Sequence, residues 1–579
     1  MHLDLTGIDP TDHALARRCS VGDIPTRAAA TFSDRTAVTD DTGSWTYREL
    51  ESTANRLAHG LVDLGVAEQE PVAILSTNCR EFVATYFGTA KAGMVSLPIN
   101  LLSGPENIVH ALVDSGTRVL VVHSTLAELA LGAVAAVPAI DHVVVVGGVP
   151  DGLSTAPDGP ALLGWDDLLA GDDSNPDTVI GDRQVVQCLY SSGTTSRPKG
   201  VLTSHLAVTM AGLSNGATFG MPWGATGAVT VLPLPLFHTA GLNGVLMAGI
   251  TMGATIHLLP GFDPVQYSDT VARVRATHLV GLPLMLAALA DGADRGLDLS
   301  SIEMLLYAMA PMSADMRERL ASALPDARIV LGSGMSECTP ATVMQWPELN
   351  PDKSDSWGYP TPVAENRICE PGGEDLVDIG GDGELAYRGP TVMEGYWNNP
   401  DANAAVFVGG HMHSGDLGRI DSDGVVWFSD RVKDIVKSGG ENVSSLHVER
   451  VLMDHPHVAE VACIGRPDPT WGELVIAVVV PTDDAPGHEE LVASVTAFGA
   501  ERLTSSQRPR EVVITDAIPA PRPARSARSN CGRWTDPAAT PRATGRTRAA
   551  RPGPRAARRR ARPPARPPGP RPAAGARRS

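Results

Sequence analysis

Between Tyr190 and Gly200 the chain reads YSSGTTSRPKG, directly after the apolar run 185–189. Its small and hydroxyl-bearing residues, Ser191, Ser192, Gly193, Thr194, Thr195 and Ser196, let backbone N–H groups point into a common space and add hydroxyl donors. Lys199 adds a full positive charge. A loop so built can surround phosphate oxygens, and we expect it to clamp a polyphosphate. It is not a Walker A loop, which needs Gly immediately before the Lys; Pro198 stands there instead. Taken alone, the string also fits a solvated Ser/Thr-rich turn. A second candidate is His238 in PLPLFHTAGL (233–242), although a lone histidine after an aromatic is more commonly a satisfied interior residue.

Such loops need strands to carry them. Short β-branched runs alternate with helical patterns through the first three hundred residues, at 72–75, 81–92, 119–122, 230–232, 255–259 and 304–306. That alternation predicts crossover units and largely parallel sheets covered by helices, with ligands gathering at the carboxyl ends of strands. After Tyr359 the pattern turns to short strands and turns, in GELAYRGPTVMEGYWNNP (383–400) and HMHSGDLGRIDSDGVVWFSDR (411–431), which predicts a small antiparallel β-subdomain. A further small unit follows, with an amphipathic segment (Val448, Val451, Leu452), the string 458–480, a helix near 490–503 and VVITDAIP at 512–519.

At 579 residues the chain suggests two or more domains. Its net charge of -19 hides a division: residues 521–579 hold 17 Arg and one acid, so the preceding 520 carry a balance of -35. Seven scattered Cys without a CxxC spacing argue for a reducing cytoplasm and against a disulfide framework or structural zinc. The N-terminal residues lack the long apolar run of a secretory signal. Residues 201–262 contain no Asp, Glu, Lys or Arg, but Gly and Pro interrupt them often enough that a buried α/β core is expected rather than a membrane span.

The 190–200 string resembles the signature loop of the adenylate-forming superfamily, which includes acyl-CoA synthetases, luciferases and nonribosomal-peptide adenylation domains. Further motifs extend the resemblance, in family order, over roughly 25–519. Ser196 replaces the family's usual Gly. The resemblance makes His238 the gate between ATP and the acyl site. Amino-acid-activating members carry an Asp in this region and FHTA has none, which favours a carboxylic acid without an α-amino group. LLYAMAPMSADMRERL, from Leu305, resembles the Gly-Gly-Ala-Pro turn that lies along the adenine. Ala308 and Met309 replace its two glycines ahead of Ala310. Met309 is thereby expected to narrow the acyl pocket, unless it is an ordinary core residue.

GSGMSE (332–337) stands where the family has Tyr-Gly-x-Thr-Glu, which implies nucleotide contacts from Gly334 and Ser336 and a Mg²⁺ ligand in Glu337. Ser333 replaces the aromatic. Asp416 in HSGD matches the carboxylate that accepts from the ribose hydroxyls, with a turn-capping Asp as the alternative. Arg431 matches a second ribose or phosphate contact. The chain has five lysines, and Lys199, Lys433 and Lys437 all fall in these motifs. The resemblance places Lys433 at the hinge about which a small C-terminal domain swings. It places Lys437 and Gly439-Gly440 on the loop facing the site when the thiol attacks.

The expected fold is thus α/β. Residues 1–430 form a large adenylation domain of parallel-rich sheets with a small β-subdomain, and 431–520 a small mobile α+β domain. Residues 521–579 form a disordered Arg/Pro-rich tail. The expected function is an acyl-CoA synthetase using ATP, Mg²⁺ and coenzyme A on a carboxylic acid, with fatty acids favoured. The alternatives are an acyl-AMP ligase loading a carrier protein, and a non-catalytic protein binding nucleic acid through its basic tail. After Pro519 the family has Pro-Arg-Thr-x-x-Gly-Lys, whose Lys supports adenylation, whereas no Lys follows Lys437 here. Adenylation is therefore expected to be impaired. The tail reads best as a frameshift product, ahead of a benign extension and of a nucleic-acid or membrane arm.

Overall fold

The computed structural model describes residues 7–518 except 157, 192–196, 225–226, 309–311, Lys433 and Gly440, and for Asn442 the backbone only. The expected loop residues Ser192, Gly193, Thr194, Thr195 and Ser196, the expected pocket residue Met309, the expected nucleotide contact Ala310, the expected hinge Lys433 and the 521–579 tail lie outside the described residues.

The apolar runs become the strands of an eight-stranded sheet, in the order Gly395–Tyr396, Lys199–Ser204, Val185–Ser191, Val95–Pro98, Pro71–Leu75, Val119–His123, His142–Val146 and Ala161–Gly164. From Val185–Ser191 to Ala161–Gly164 neighbouring strands pair in parallel; at the other edge Lys199–Ser204 and Gly395–Tyr396 pair antiparallel. Every residue of Pro71–Leu75 is buried, as expected of a parallel strand covered on both faces. Among the covering helices, Tyr47–Asp63 starts at a capping box of Thr46 and Glu49, and Arg80–Lys91 packs against it.

Two further sheets complete the core. One orders Val229–Leu232, Thr255–Leu258, Thr36–Asp40 and Gly43–Thr46, and the other His278–Gly281, Met304–Tyr307, Arg328–Gly334, Ala341–Gln345 and Tyr359–Pro360. The uncharged stretch from 201 to 262 forms strands and helices of this interior, and no helix of the described residues is long and apolar enough to cross a membrane. In the sheet that starts at His278–Gly281, antiparallel pairing begins between Arg328–Gly334 and Ala341–Gln345, and after Tyr359 a separate antiparallel sheet forms as the pattern predicted, with Glu365–Cys369, Gly383–Arg388, His411–Ile420 and Val426–Arg431.

The last unit has its own sheet: Glu441–Val443, Val436–Ser438, Gly472–Pro481 and Val458–Asp468, with Glu511–Ile514 parallel to Gly472–Pro481. Helices Ser445–Met453 and His488–Arg502 pack on it around a core of Val448, Leu452, Val475, Ala477, Val479, Leu491 and Val495. Four segments singled out in the sequence therefore follow the carboxyl ends of strands: the one after Val185–Ser191 that leads to Lys199, the His238 segment after Val229–Leu232, the segment after Met304–Tyr307 and the Glu337 turn after Arg328–Gly334.

Candidate active site

Lys199 begins the strand that returns from the loop, and that strand is paired at its outer edge with Gly395–Tyr396 in the register Gly395 to Leu202 and Tyr396 to Val201. Two residues along from Val201, Lys199 shares a face with Tyr396, and its ammonium lies 4.7 Å from the centre of the Tyr396 ring. The phenol reaches the other way, its hydroxyl 2.9 Å from Glu337 Oε1. Glu337 is 4 % exposed, and its Oε2 has no hydrogen-bond partner among the described residues. One aromatic side chain thus spans the expected phosphate lysine and the expected metal carboxylate.

The backbone reinforces this. Met393 N–H donates to Glu337 O (2.8 Å), Glu394 N–H to Leu202 O (2.8 Å) and Trp397 N–H to Gly200 O (2.8 Å). The Thr339 hydroxyl donates to Thr391 O at 2.9 Å. Residues 391–397 therefore strap the returning strand to the Glu337 turn. That turn is tightly bent: Met335 N–H donates to Pro340 O at 2.8 Å, and a β-carbon on Gly334 would lie 1.8 Å from that oxygen, so only glycine fits. Thr339 holds a left-handed backbone with φ of 59°, a strained state for a β-branched residue that costs about 1–3 kcal/mol and is typical of functional turns. On the loop's near side His110 Nε2 lies 3.1 Å from Pro198 O, and Tyr190 donates to Asp114 at 2.7 Å.

Asp416 and Arg431 are directly opposite on adjacent strands, with Arg431 Nε 3.1 Å from Asp416 Oδ1. Tyr387 lies between this pair and the third sheet, hydrogen-bonded to Thr342; burial pushes its phenol well above its usual range, and the Asp416 charge adds to the effect. The turn presenting Asp416 is clamped by Glu384, which the sequence did not single out. Its Oε1 accepts from Gly415 N–H (2.8 Å) and its Oε2 from Gly372 N–H (3.0 Å) and His413 Nδ1 (2.9 Å). A carboxylate only accepts, so the His413 Nδ1 carries the proton.

His238 is half-buried, its Nδ1 accepting from Ala240 N–H at 3.2 Å, at the start of the wide turn Ala240–Leu246, a π-type helix of the kind that recurs at functional sites. A β-carbon on Gly244 in that turn would sit 3.5 Å from the Pro340 ring, so the His238 segment packs on the Glu337 turn. Lys437 lies apart, exposed on the sheet of the last unit, its N–H donating to Glu473 at 2.7 Å. Beside it Gly439 has a φ of 63° and packs against Trp471. The structure therefore brings together Lys199 with Glu337, and Asp416 with Arg431. Missed in the sequence were Tyr396, Glu384 and His413. GYW and the Glu of GEL lay within quoted strings, but their roles depend on partners 59 and 29 residues away.

Two family models match the chain: AMP-binding enzyme over residues 25–397 and AMP-binding enzyme C-terminal domain over 447–525. A feruloyl-CoA synthase from Amycolatopsis sp is 35% identical over 510 residues, covering 87% of this chain and 96% of that protein. The long-chain-fatty-acid–CoA ligase FadD13 of Mycobacterium tuberculosis is 30% identical over 483 residues, covering 82% and 90%. Among solved structures, the anthranilate CoA ligase AuaEII in complex with anthranoyl-AMP superposes with a TM-score of 0.78 at 26% identity, covering 90% of this chain and 98% of that one. The order of the strand-end loops, the site they build and these matches agree: the chain belongs to the AMP-binding enzyme family, in the acyl-CoA synthetase branch of the adenylate-forming superfamily.

Proposed function

We propose that the chain joins a carboxylic acid to coenzyme A in two steps, forming acyl-adenylate and pyrophosphate from ATP and then acyl-CoA and AMP. The observation that carries this reading is the Lys199–Tyr396–Glu337 arrangement at the mouth of the 190–200 loop. In the first step an oxygen of the substrate carboxylate attacks the α-phosphorus and pyrophosphate leaves, so no enzyme nucleophile is required. Lys199 and the loop donors hold the β- and γ-phosphates where negative charge collects on the leaving group. Asp416, fixed by Arg431, accepts from the ribose hydroxyls, and His238 stands between nucleotide and acyl group. Magnesium fits the residues present: Glu337 has a buried oxygen without a described partner, and one carboxylate plus substrate phosphates is a common Mg²⁺ site. Held there, the ion would offset charge on the phosphates.

In the second step the thiol of CoA attacks the acyl carbonyl and AMP leaves. Here the 431–520 unit turns about Lys433 and brings Lys437 toward the site. Because no lysine follows Lys437, the first step lacks the cation that bridges carboxylate and α-phosphate in relatives, and adenylation is the slower half-reaction.

For the acid, an aromatic carboxylate of the ferulate or anthranilate kind is the better reading, since the 35% relative and the superposed structure carry aryl names. A long-chain fatty acid is the second reading, supported by the 30% relative. Pyrophosphate release and CoA-ester formation are measured with ferulate, 4-coumarate, anthranilate and palmitate. At least tenfold higher kcat/KM for an aryl acid supports the reading. A palmitate preference moves it to the second, and an absence of both ATP binding and pyrophosphate release with every acid removes it.

A further inference from the structure

The molecule has several buried polar clusters. Lys91 with Glu51, Thr26 and Asn175 ties helices to a loop, and His205 accepts the Val21 N–H, so both serve packing. A surface groove between helices Pro105–Ser115 and Ala127–Val134 shows nothing that would choose its occupant. The strap at 391–397 differs, because one of its two aromatic residues, Tyr396, touches both ends of the chemistry assigned above.

We propose that Tyr396 is a positioning residue that sets the Mg²⁺ carboxylate and the phosphate ammonium as one unit; this rests on the ATP-dependent function proposed above. Its two faces act separately. The hydroxyl, 2.9 Å from Glu337 Oε1, occupies that oxygen and fixes the carboxylate plane, leaving Oε2 as the oxygen without a described partner. A carboxylate in water rotates freely and spends both oxygens on solvent; here rotation would break a buried charge-assisted hydrogen bond. The ring face, 4.7 Å from Lys199 Nζ, steers the ammonium without consuming any of its three N–H donors, which a carboxylate partner would do. The ammonium thus stays available to phosphate oxygens.

Tyr396 is itself held in place. It is 9 % exposed, its N–H donates to Asn403 Oδ1 at 2.7 Å, and its carbonyl accepts from Asn403 Nδ2 at 3.1 Å. Gly395 has a φ of 147°, and a side chain there would press on Asn403 at 3.1 Å. The residue is therefore anchored through its backbone, which leaves its side chain to bridge two segments 138 positions apart in sequence, from 199 to 337.

The two faces are separable by mutation. Tyr396→Phe keeps the ring and removes the hydroxyl, and Tyr396→Leu removes both. ATP affinity is measured calorimetrically on the full chain in EDTA and across a Mg²⁺ titration, with thermal melting as a control. For Tyr396→Phe we expect unchanged ATP affinity in EDTA and about a tenfold higher Mg²⁺ concentration for half-maximal tightening of ATP, the scale of one hydrogen bond to a charged group. For Tyr396→Leu we expect the same Mg²⁺ effect plus a loss of roughly threefold to thirtyfold in ATP affinity in EDTA. A purely structural Tyr396 lowers the melting temperature in both variants and leaves the Mg²⁺ midpoint at the wild-type value, which overturns the inference. Wild-type chain that binds no ATP overturns the function itself, a separate outcome visible before any variant is made.

Discussion

Glu384→Gln tests whether the turn bearing Asp416 is held by a buried charge. Glu384 is 5 % exposed and accepts three hydrogen bonds, from Gly415 and Gly372 N–H groups and from His413 Nδ1. Glutamine is nearly isosteric but has one accepting atom and one donating group. If the amide oxygen faces Gly372 and His413, the NH₂ meets the Gly415 N–H donor to donor; the reverse rotamer sets it against the other two. The better rotamer still loses one charge-assisted bond and leaves a buried N–H unpaired, about 2–4 kcal/mol. In a chain of this size that lowers the melting temperature by about 2–4 °C. Because the lost bond in that rotamer holds Gly415, one residue before Asp416, ATP binding weakens as well. Glu365→Gln is the control: that carboxylate pairs with Arg388 and Arg367 at the surface, where removing charge costs about 0–1 kcal/mol. The measurements are thermal melting and ATP titration of both variants. A Glu384→Gln protein that melts within about 1 °C of wild type and binds ATP equally well refutes the clamp.

Three further outcomes are expected. Burial holds the His205 imidazole down at about 3, and its Nδ1 accepts the Val21 N–H at 3.1 Å. The unfolded chain therefore takes up this proton first, near pH 6.5, so stability is full above that pH and falls toward pH 3 by up to about 1.4 kcal/mol per unit. His205→Gln should flatten the urea midpoint between pH 6.5 and 5 relative to wild type, and parallel profiles would contradict the assignment. Lys199→Met keeps an unbranched apolar side chain but removes the ammonium over Tyr396 and with it the donor to the phosphates, and pyrophosphate release should slow about 10²–10³-fold; unaltered turnover argues against the phosphate role. Replacing 521–579 by an end that supplies Gly-Lys should speed adenylation by about 10²–10³ while leaving thioester formation from supplied acyl-AMP nearly constant. Equal adenylation by both chains would show that the missing lysine is not limiting.

The residues whose chemistry lies in a local string were legible. The 190–200 loop, Glu337, Asp416 and Arg431 each sit in a short motif at a strand end or in a hairpin; the apolar run 185–189 marked the strand before the loop, whereas strand Arg328–Gly334 ahead of Glu337 was not among the runs read from the sequence. The small antiparallel sheet after Tyr359 was visible for the same reason: turn residues and short-strand patterns are local properties. What stayed hidden are contacts between motifs. Gly395–Tyr396 is a two-residue strand, too short for any periodicity, and it joins the edge of the main sheet through partners at Leu202 and Val201, far earlier in the chain. Glu384 and His413 look like ordinary strand polar residues until the register brings them to one side of the sheet. Asp430 stands three residues before the expected hinge Lys433 at the end of the 411–431 string, and only the fold shows it 0 % exposed.

Asp430 also bears on how the two half-reactions share one molecule. Its Oδ2 accepts from Ser444 Oγ (2.9 Å), Ser445 Oγ (3.1 Å) and the Leu446 N–H (3.1 Å), so it caps the start of helix Ser445–Met453 from the end of strand Val426–Arg431. The proposed pivot at Lys433 lies between these partners in the chain. Rotation about it cannot leave all three bonds intact, and breaking bonds to a buried charge costs about 1.5–3 kcal/mol each. An orientation held this firmly would dominate the population unless the second one offers Asp430 and the helix N-terminus equivalent partners, since a few kcal/mol shifts a two-state balance by orders of magnitude. If the small unit turns as proposed, the exchange of Asp430 partners, and not the flexibility of the linking residues, would set how readily it passes from one half-reaction to the next.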